Sequence, residues 1–425
     1  MPAKPRTARL AGTAAAALAW YDLILFAAAA VLVFDDVFFP SLSGASPVAL
    51  AGVYALGLVA CPLGAALFGY RGDRTTTADA LSLALITSGV ATFLIGLVPA
   101  HATIGAGAPV LLALLRLAQG IALGGLWGGL VCLHDSLGPR GGRGRSTSWV
   151  QIGLPSGTLL ALGLTTATKL LLPDSYDVWA WRLPFLLSAA PALLGIWLRY
   201  ALRDGGRPHP PRAFNPVAAV WRTGRRASLS AFLARLGADT AFGVFVVYLL
   251  FHLESRALAI AAVLTGAAFQ IVAVPVLGRL SDRVGPGKVV LAGAAAVAAW
   301  SWAFFPLTDL GRVDATVAAT VVALLAHAAV HAPLAGFTLS LFPERLRYTG
   351  TSLGYQSAGF VAFALAPAAA IGLIPLDTGP TVLSGVITGA LALTAVGVAA
   401  APRRTEAIAL PGPRGGADDS AAARR

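Results

Sequence analysis

Long apolar runs alternate with short polar stretches along the whole chain, and each run is long enough to cross a bilayer. A transmembrane helix needs about 20 predominantly apolar residues. Charged positions are few inside these runs and frequent between them. The predicted spans are 13–34, 46–70, 80–100, 108–133, 147–172, 183–202, 228–252, 257–278, 289–308, 315–342, 350–374 and 378–400. The pattern predicts an all-α membrane protein with twelve transmembrane helices.

The longest polar interruption, at 203–227, separates six predicted spans from six others. We predict an N-terminal six-helix half at 1–202 and a C-terminal six-helix half at 228–400. A central cytoplasmic loop joins the halves, and a disordered cytoplasmic tail follows at 401–425. Within the central loop, apolar side chains alternate with arginines, which is compatible with a short interfacial helix or with a flexible linker.

A repeated hexapeptide supports the division into halves. The pattern Gly-x-x-x-Asp-Arg occurs between the second and third spans of each half. Glycine allows a neighbouring helix to approach closely, and an aspartate is stabilised when it faces a helix N-terminus. We therefore predict two cytoplasmic gating loops. Their residues are Gly69, Asp73, Arg74, Gly278, Asp282 and Arg283.

The composition agrees with a membrane protein. Hydrophobic residues make up 57% of the chain and charged residues 12%, whereas soluble domains contain about 25% charged residues. These values exclude a cytosolic enzyme, a disulfide scaffold and a disordered protein. The two cysteines, Cys61 and Cys132, lie inside apolar runs. They suggest neither a disulfide nor a metal site, and we expect no cofactor and no metal.

The distribution of charge predicts the topology. The net charge is +12, and most of the 31 lysines and arginines lie in alternate loops on the side of the N-terminus. The opposite loops contain only Arg182, Arg256 and Arg312. Because basic loops face the cytoplasm, we expect both termini there. Lysine is rare and alanine abundant, as in GC-rich bacteria, so the expected location is a bacterial cytoplasmic membrane. The lipid bilayer then explains the basic excess, and no nucleic acid is expected as a partner.

Several motifs make the chain resemble the metabolite:proton symporters of the major facilitator superfamily. This branch includes permeases for alpha-ketoglutarate, citrate, shikimate and proline/betaine, and the resemblance covers nearly all of 15–400. The motifs include Trp20-Tyr21-Asp22, Phe38-Phe39-Pro40, Leu115-Arg116-Leu117-Ala118-Gln119-Gly120, Trp181-Arg182-Leu183-Pro184-Phe185 and Phe342-Pro343-Glu344-Arg345. The resemblance implies a major facilitator fold and secondary active transport. A small polar metabolite, either an organic acid or a zwitterion, is expected to move by alternating access with proton coupling. The protein is expected to be a monomer.

The chain also departs from this branch at positions that are charged in its relatives. The relatives usually have glutamate where this chain has Ala19, Leu126 and Ala238, and arginine where it has Cys61. The roles of those charges in coupling or anion binding therefore cannot be transferred. An uncoupled facilitator or an exporter of a biosynthetic product remains the alternative function. A non-transporting membrane sensor is a less favoured one, and an enzyme is not expected.

Four charged residues lie well inside the predicted spans, away from their ends, where a charge costs about 2.5–3.5 kcal/mol. Asp22 is either a proton carrier or a structural hydrogen-bond acceptor. Arg116 matches an arginine that the resemblance links with proton transfer, although it can also clamp backbone carbonyls. Arg235 and Asp239 are four residues apart and share one helix face. They form either a static ion pair or a switch that opens when an anion competes for the arginine.

Neutral polar side chains complete the predicted substrate and proton pathway. His327 and His331 share a face of the tenth span, where they can relay protons, bind zinc or simply pack as polar residues. Other polar and aromatic residues either line the substrate cavity or belong to the core. We select Tyr21, Trp127, Gln151 and Tyr355 as cavity residues.

Overall fold

The computed structural model describes residues 5–40, 46–139, 141–202, 215–365, 372–373 and 379–402. Nearly all of these residues are helical, and no strand occurs within these ranges. In the same ranges, eleven helices are long and apolar enough to cross a membrane. The protein is therefore an all-α membrane protein, as the apolar runs predict.

The N-terminal half contains six of these spans. The fifth, Arg143–Leu171, is formed by two consecutive helices, and so is the sixth, Arg182–Ala201. The helices of this half are α1 (Pro5–Leu32), α2 (Phe34–Phe38), α3 (Ser46–Arg74), α4 (Thr77–Leu97), α5 (His101–Ile104), α6 (Gly107–Ser136), α7 (Arg143–Gln151), α8 (Gly153–Leu171), α9 (Pro173–Ser175), a π-helix (Tyr176–Ala180), α10 (Arg182–Leu186) and α11 (Ala189–Ala201).

The C-terminal half follows the same plan. Its helices are α12 (Pro216–Thr223), α13 (Arg225–His252), α14 (Arg256–Val284), α15 (Pro286–Thr308), α16 (Val313–Ser340), a 3-10 turn (Glu344–Leu346), α17 (Arg347–Phe360), a π-helix (Val361–Leu365) and α18 (Gly379–Ala399). The predicted span at 350–374 lies partly outside the described residues. Its described part, α17 and the second π-helix, completes a twelve-helix arrangement with the eleven other spans.

Several helices extend beyond the predicted apolar runs. The first predicted span starts at residue 13, whereas α1 begins at Pro5. Likewise, α3 continues to Arg74 and α14 to Val284. Backbone hydrogen bonding continues through polar residues once a helix has formed. Both Gly-x-x-x-Asp-Arg hexapeptides therefore lie in the last turns of helices rather than in loops.

The second part of the predicted central loop is also helical. Residues 203–214 lie outside the described part of the chain, as do residues 403–425 of the predicted tail. The amide of Ala218 donates a hydrogen bond of 3.1 Å to Asn215 Oδ1, which caps α12. Val220 is buried, whereas the neighbouring Trp221 is exposed. The next helix, α13, begins at Arg225 instead of residue 228.

The two halves contact each other through equivalent helices. The second span of the first half, α3, packs against α17, which is the fifth span of the second half. Conversely, α14 is the second span of the second half and packs against α7 and α8, the fifth span of the first. Because of this reciprocal packing, the ends of α3 and α14, which contain the two hexapeptides, each lie against the opposite half. The end of the bundle at which α1 begins is called the gate end below.

Candidate transport site

A small cavity lies between the two halves. Its volume is about 60 Å³, which is space for roughly four water molecules. Residues from α1, α3, α6, α13, α17 and the second π-helix form its wall. They are Ala16, Ala19, Trp20, Leu23, Leu58, Cys61, Leu123, Leu126, Trp127, Leu130, Arg235, Tyr355, Gln356, Gly359, Phe360 and Phe363. Three of the selected pathway residues, Arg235, Trp127 and Tyr355, therefore lie together in this wall.

Arg235 is the charged member of this wall and is paired with Asp239. The two side chains form an ion pair along α13, and both are almost completely buried. Arg235 Nη1 also donates a hydrogen bond of 2.5 Å to the carbonyl of Tyr355. The guanidinium carbon lies 3.3 Å from the centre of the Tyr355 ring. The ion pair and the aromatic face together compensate a charge that would otherwise be very costly in the membrane interior.

Trp127 and Tyr355 connect the halves across the cavity. Their rings stack with centroids 3.2 Å apart and planes inclined by 10°. Trp127 Nε1 donates to Gln151 Oε1 at 3.0 Å. Gln151 Nε2 in turn donates to the carbonyl of His331 at 2.7 Å. This chain joins α6, α7, α16 and α17, so it must break if the halves separate on this side.

His327 and His331 lie behind the cavity wall. Both are fully buried, and their rings stack with centroids 5.2 Å apart. Gln270 Nε2 lies 2.7 Å from His327 Nδ1. Neither ring nitrogen of His331 has a hydrogen-bond partner among the described residues. Within the described ranges, no group of three or more His, Cys, Asp or Glu residues is arranged to hold a metal ion.

Asp22 belongs to a second polar site, inside the N-terminal half. Its carboxylate accepts hydrogen bonds from Ser88 at 3.1 Å and from Ser188 at 2.8 Å. Asp22 is fully buried and is not part of the cavity wall. Tyr21 also lies off the cavity and donates a hydrogen bond of 2.5 Å to the carbonyl of Pro184. The structure thus separates the predicted pathway residues into two locations.

Arg116 is linked to Asp22 through neutral side chains. Arg116 Nη1 donates to Gln119 Oε1 at 2.5 Å, and Gln119 Nε2 donates to Thr92 at 2.7 Å and to the backbone carbonyl of Asp22 at 3.5 Å. The guanidinium carbon lies 4.2 Å from the centre of the Phe26 ring. Arg116 Nε and Nη2 have no hydrogen-bond partner among the described residues.

The sequence alone did not identify the hydroxyl partners of Asp22. Ser88 and Ser188 lie in or beside other spans, and serine and threonine in helices often bond only to their own backbone. The hydroxyl of the nearby Thr92, for example, donates to the carbonyl of Ser88 in its own helix at 2.9 Å. The sequence did contain one indication. Asp22 is predicted to be buried and has no basic residue near it in its own helix, so its hydrogen-bond donors must come from other helices.

The two hexapeptides hold the halves together at the gate end. The carboxylate of Asp73 accepts hydrogen bonds from the backbone amides of Tyr348 at 3.1 Å and Thr349 at 2.9 Å. These amides belong to the first turn of α17, where helix N–H groups have no partner within the helix. The negative charge is also stabilised by the helix dipole. Asp73 thus fastens the N-terminal half to the start of α17.

Asp282 makes the equivalent contact from the other half. Its carboxylate accepts hydrogen bonds from the backbone amides of Gly144 at 2.6 Å and Arg145 at 2.8 Å, in the first turn of α7. The repeated sequence therefore produces a repeated contact. The arginines differ in position: Arg74 contacts Tyr70 of its own helix, whereas Arg283 is exposed.

The glycines of the hexapeptides permit this close approach. A Cβ added at Gly69 would lie 2.7 Å from the Cα of Thr349. A Cβ added at Gly278 would lie 2.9 Å from the carbonyl oxygen of Gly144. Both distances are shorter than van der Waals contact, so a larger residue would push the halves apart at the gate end.

Further contacts close the same end. Tyr348 donates a hydrogen bond of 2.8 Å from its hydroxyl to the carbonyl of Gly125. Arg347 Nη1 lies 3.5 Å from the carboxylate of Asp135. Toward the other end, the cavity wall is apolar, and Trp20 meets Phe363 edge to face at 5.7 Å. Among the described residues, hydrogen bonds thus close the gate end, and an aromatic contact joins the two halves on the other side of the cavity.

Sequence comparison places these features in a known family. The family model described as Major Facilitator Superfamily matches residues 10–367, which is most of the chain. The chain belongs to the major facilitator superfamily. The resemblance stated from the motifs is confirmed, and the protein is a multi-pass membrane transporter rather than an enzyme.

Relatives within the superfamily are metabolite transporters. The chain is 32% identical over 388 residues to the inner membrane metabolite transport protein YhjE of Escherichia coli, covering 86% of each chain. It is 29% identical over 391 residues to the shikimate transporter of the same bacterium, covering 88% of this chain and 89% of the relative. Among solved structures, the proton:xylose symporter XylE bound to 6-bromo-6-deoxy-D-glucose matches with a TM-score of 0.71 at 16% identity, covering 93% of this chain and 94% of XylE. This likeness confirms the major facilitator fold.

Proposed function

We propose that this major facilitator protein is a proton-coupled secondary transporter that moves a small organic acid or zwitterion by alternating access. The cavity between two halves that are fastened at one end by Asp73 and Asp282 is the observation that carries the proposal. A monomer suffices, because both halves and the cavity come from one chain. In keeping with the basic loops, the gate end faces the cytoplasm of a bacterium.

Alternating access requires contacts at the gate end that can break as a unit. Both aspartates bind free backbone amides at helix starts, and water can replace them as partners of those amides when the halves separate. The energetic difference between the closed and open gate is therefore small compared with the total energy of these contacts. Such a balance suits a transporter that must adopt both states in each cycle.

Proton coupling is assigned to Asp22 and Arg116. The carboxylate of Asp22 is held by two serine hydroxyls, which accept or donate hydrogen bonds and so tolerate either protonation state. Arg116 lies within the same polar network but contacts it through Gln119. An ionisable group at such depth in a membrane protein typically serves transport. Arg235 and Asp239 form a second pair of buried ionisable groups, and Arg235 lines the cavity.

Proteoliposomes containing the purified protein and a pH-sensitive dye in the lumen test this function. A panel of organic acids and betaines is added outside, and proton movement and uptake are recorded together. We expect at least one compound to produce protein-dependent uptake with proton movement in the same direction, abolished by a protonophore. Asp22→Asn should still bind that compound while losing its proton-driven accumulation.

A specific observation favours the alternative of an uncoupled facilitator or exporter. Ala19, Cys61 and Leu126 all line the cavity. The metabolite:proton symporters that this chain resembles usually have charged residues at these three positions. If the wild-type protein moves its substrate without any proton movement, and Asp22→Asn transports equally well, the coupled function is wrong and the uncoupled one is supported.

A further inference from the structure

The cavity wall carries little charge. Among the described residues that form it, Arg235 is the charged one, and Asp239 compensates its charge from the adjacent turn of α13. The remaining wall is apolar or aromatic except for Gln356 and the polar atoms of Trp20, Trp127 and Tyr355. A second charge on a substrate would therefore find no opposite charge within the wall, and its desolvation would not be compensated.

Arg235 retains hydrogen-bonding capacity for a ligand. Its Nη1 is used by the carbonyl of Tyr355, and the side chain of Gln356 lies 3.5 Å away. Asp239 pairs with the Nε side of the guanidinium. The Nη2 group donates no hydrogen bond to any described residue. Because guanidinium binds carboxylates in a planar, charge-assisted geometry, Nη2 provides a position for one carboxylate oxygen.

The rest of the wall limits the body of the ligand. Leu126 and Phe360 are apolar, and the indole of Trp20 adds a flat hydrophobic face. The volume of about 60 Å³ accommodates only a few atoms in the closed state. Burial of alkyl groups against such a wall is favourable, whereas hydroxyl and primary ammonium groups would lose strong hydration that an apolar or aromatic wall does not replace.

We propose that the cavity selects a small monocarboxylate whose remaining atoms are apolar, with its carboxylate bound to Arg235. This inference rests on the proposed transport function and narrows its substrate class. The composition of the wall, and not its size alone, separates this chain from transporters of dicarboxylates and polyhydroxylated acids.

A matched set of four-carbon compounds tests the selection by direct binding to the purified full-length protein. Butyrate carries one charge, butyramide none, succinate two, and 4-aminobutyrate has an additional ammonium group. Calorimetry and tryptophan fluorescence report binding, since Trp20 and Trp127 line the cavity. We expect butyrate to bind at least about tenfold more tightly than each of the others. Equal or tighter binding of succinate, 4-aminobutyrate or butyramide overturns the proposal, as does absence of binding by propionate, butyrate and pentanoate alike.

Two sets of variants locate the binding. Arg235→Gln should weaken butyrate binding by about tenfold to a hundredfold, because a charge-assisted hydrogen bond is lost. The exposed Arg222→Gln on α12 serves as the control for loss of a positive charge. Since Arg235→Gln leaves Asp239 buried without its partner, Leu126→Glu provides a test that keeps the ion pair intact. It should weaken butyrate binding about tenfold more than Leu126→Gln, and equal effects of the two substitutions would contradict the proposal.

Binding and transport can fail separately. Selective butyrate binding without proton-driven transport of any compound would support the monocarboxylate site and overturn the proposed coupled function. Proton-driven transport of succinate or a betaine, with no selective binding of butyrate, would support the coupled function and overturn the monocarboxylate site. Binding is the primary measurement because protonated butyrate crosses lipid bilayers without a transporter.

Discussion

At the residue scale, the buried charges are held in two ways, within one helix or by residues of several helices. Arg235 and Asp239 pair along α13, as their four-residue spacing predicts. The partners of Asp22 could not be predicted, because Ser88 and Ser188 come from two other spans and neither spacing nor periodicity relates them to α1. The separation of Asp22 from the cavity likewise depends on how α1 is rotated within its half. A single apolar sequence with little amphipathic character does not specify that rotation.

Trp127 provides a test of the polar chain that crosses the cavity. Trp127→Phe retains most of the ring but removes the Nε1 donor, which leaves Gln151 Oε1 buried without that partner. We expect a loss of about 1–3 kcal/mol in stability, seen as a lower Tm of the purified protein. Trp221→Phe, at an exposed position on α12, is the control. A Tm for Trp127→Phe equal to that of the control would show that the hydrogen bond contributes little.

At the element scale, the apolar runs predicted the number and order of the spans but not their ends. The helices α3 and α14 continue through their hexapeptides, whose aspartates bind the opposite half. The repeat itself predicted that Asp73 and Asp282 occupy equivalent positions in the two halves. It did not predict that their partners are the backbone amides at the starts of α17 and α7, since those amides carry no sequence signal.

The aspartates of both hexapeptides should control how often the gate end opens. Asp73→Asn and Asp282→Asn each replace a charged acceptor by a neutral one, which should favour opening by about tenfold. Cys61 lines the cavity, so its rate of modification by a maleimide reports access in a Cys132→Ala background. Asp79→Asn, which affects a half-exposed residue 3.9 Å from Arg199, is the control. Unchanged modification in both test variants would argue against a gate at these contacts.

The close packing of α3 against α17 gives an independent prediction. Gly69→Ala should separate the helices at the gate end, because the added Cβ would lie 2.7 Å from the Cα of Thr349. The rate of Cys61 modification should increase and transport should slow. Gly52→Ala in the same helix is a matched control, since nothing lies within 4 Å of its added Cβ. If both alanines behave alike, helix propensity rather than contact explains the result.

At the scale of the whole molecule, composition and charge were sufficient to predict the architecture. The apolar runs placed two six-helix halves in the chain, and the family match and the fold agree with this plan. The state of the transporter could not be inferred in the same way. The sequence is the same whichever end of the transporter is closed, and only the assembled helices show that hydrogen bonds close the gate end.

The orientation in the membrane can be tested by labelling from one side. In a chain lacking Cys61 and Cys132, Trp221→Cys on α12 should react with a membrane-impermeant maleimide only from the cytoplasm. Leu310→Cys, between α15 and α16, should react only from outside. Both positions are exposed, by 65% and 60%, so reactivity depends on the side and not on burial. Reaction of the two cysteines from the same side, or in the reversed pattern, would contradict the predicted topology.

The use of backbone amides by Asp73 and Asp282 has an evolutionary consequence. Every residue except proline supplies an N–H group, so substitutions at Arg145, Tyr348 or Thr349 leave the amide partners in place. Gly144 is the exception, because an added Cβ would lie 2.8 Å from Asp282 Oδ1. Selection on these two contacts therefore acts mainly on one side, the carboxylates. We expect residues at these helix starts to change during evolution without compensating changes in the hexapeptides. An analysis of correlated substitutions would therefore miss these two contacts, although they hold the halves together.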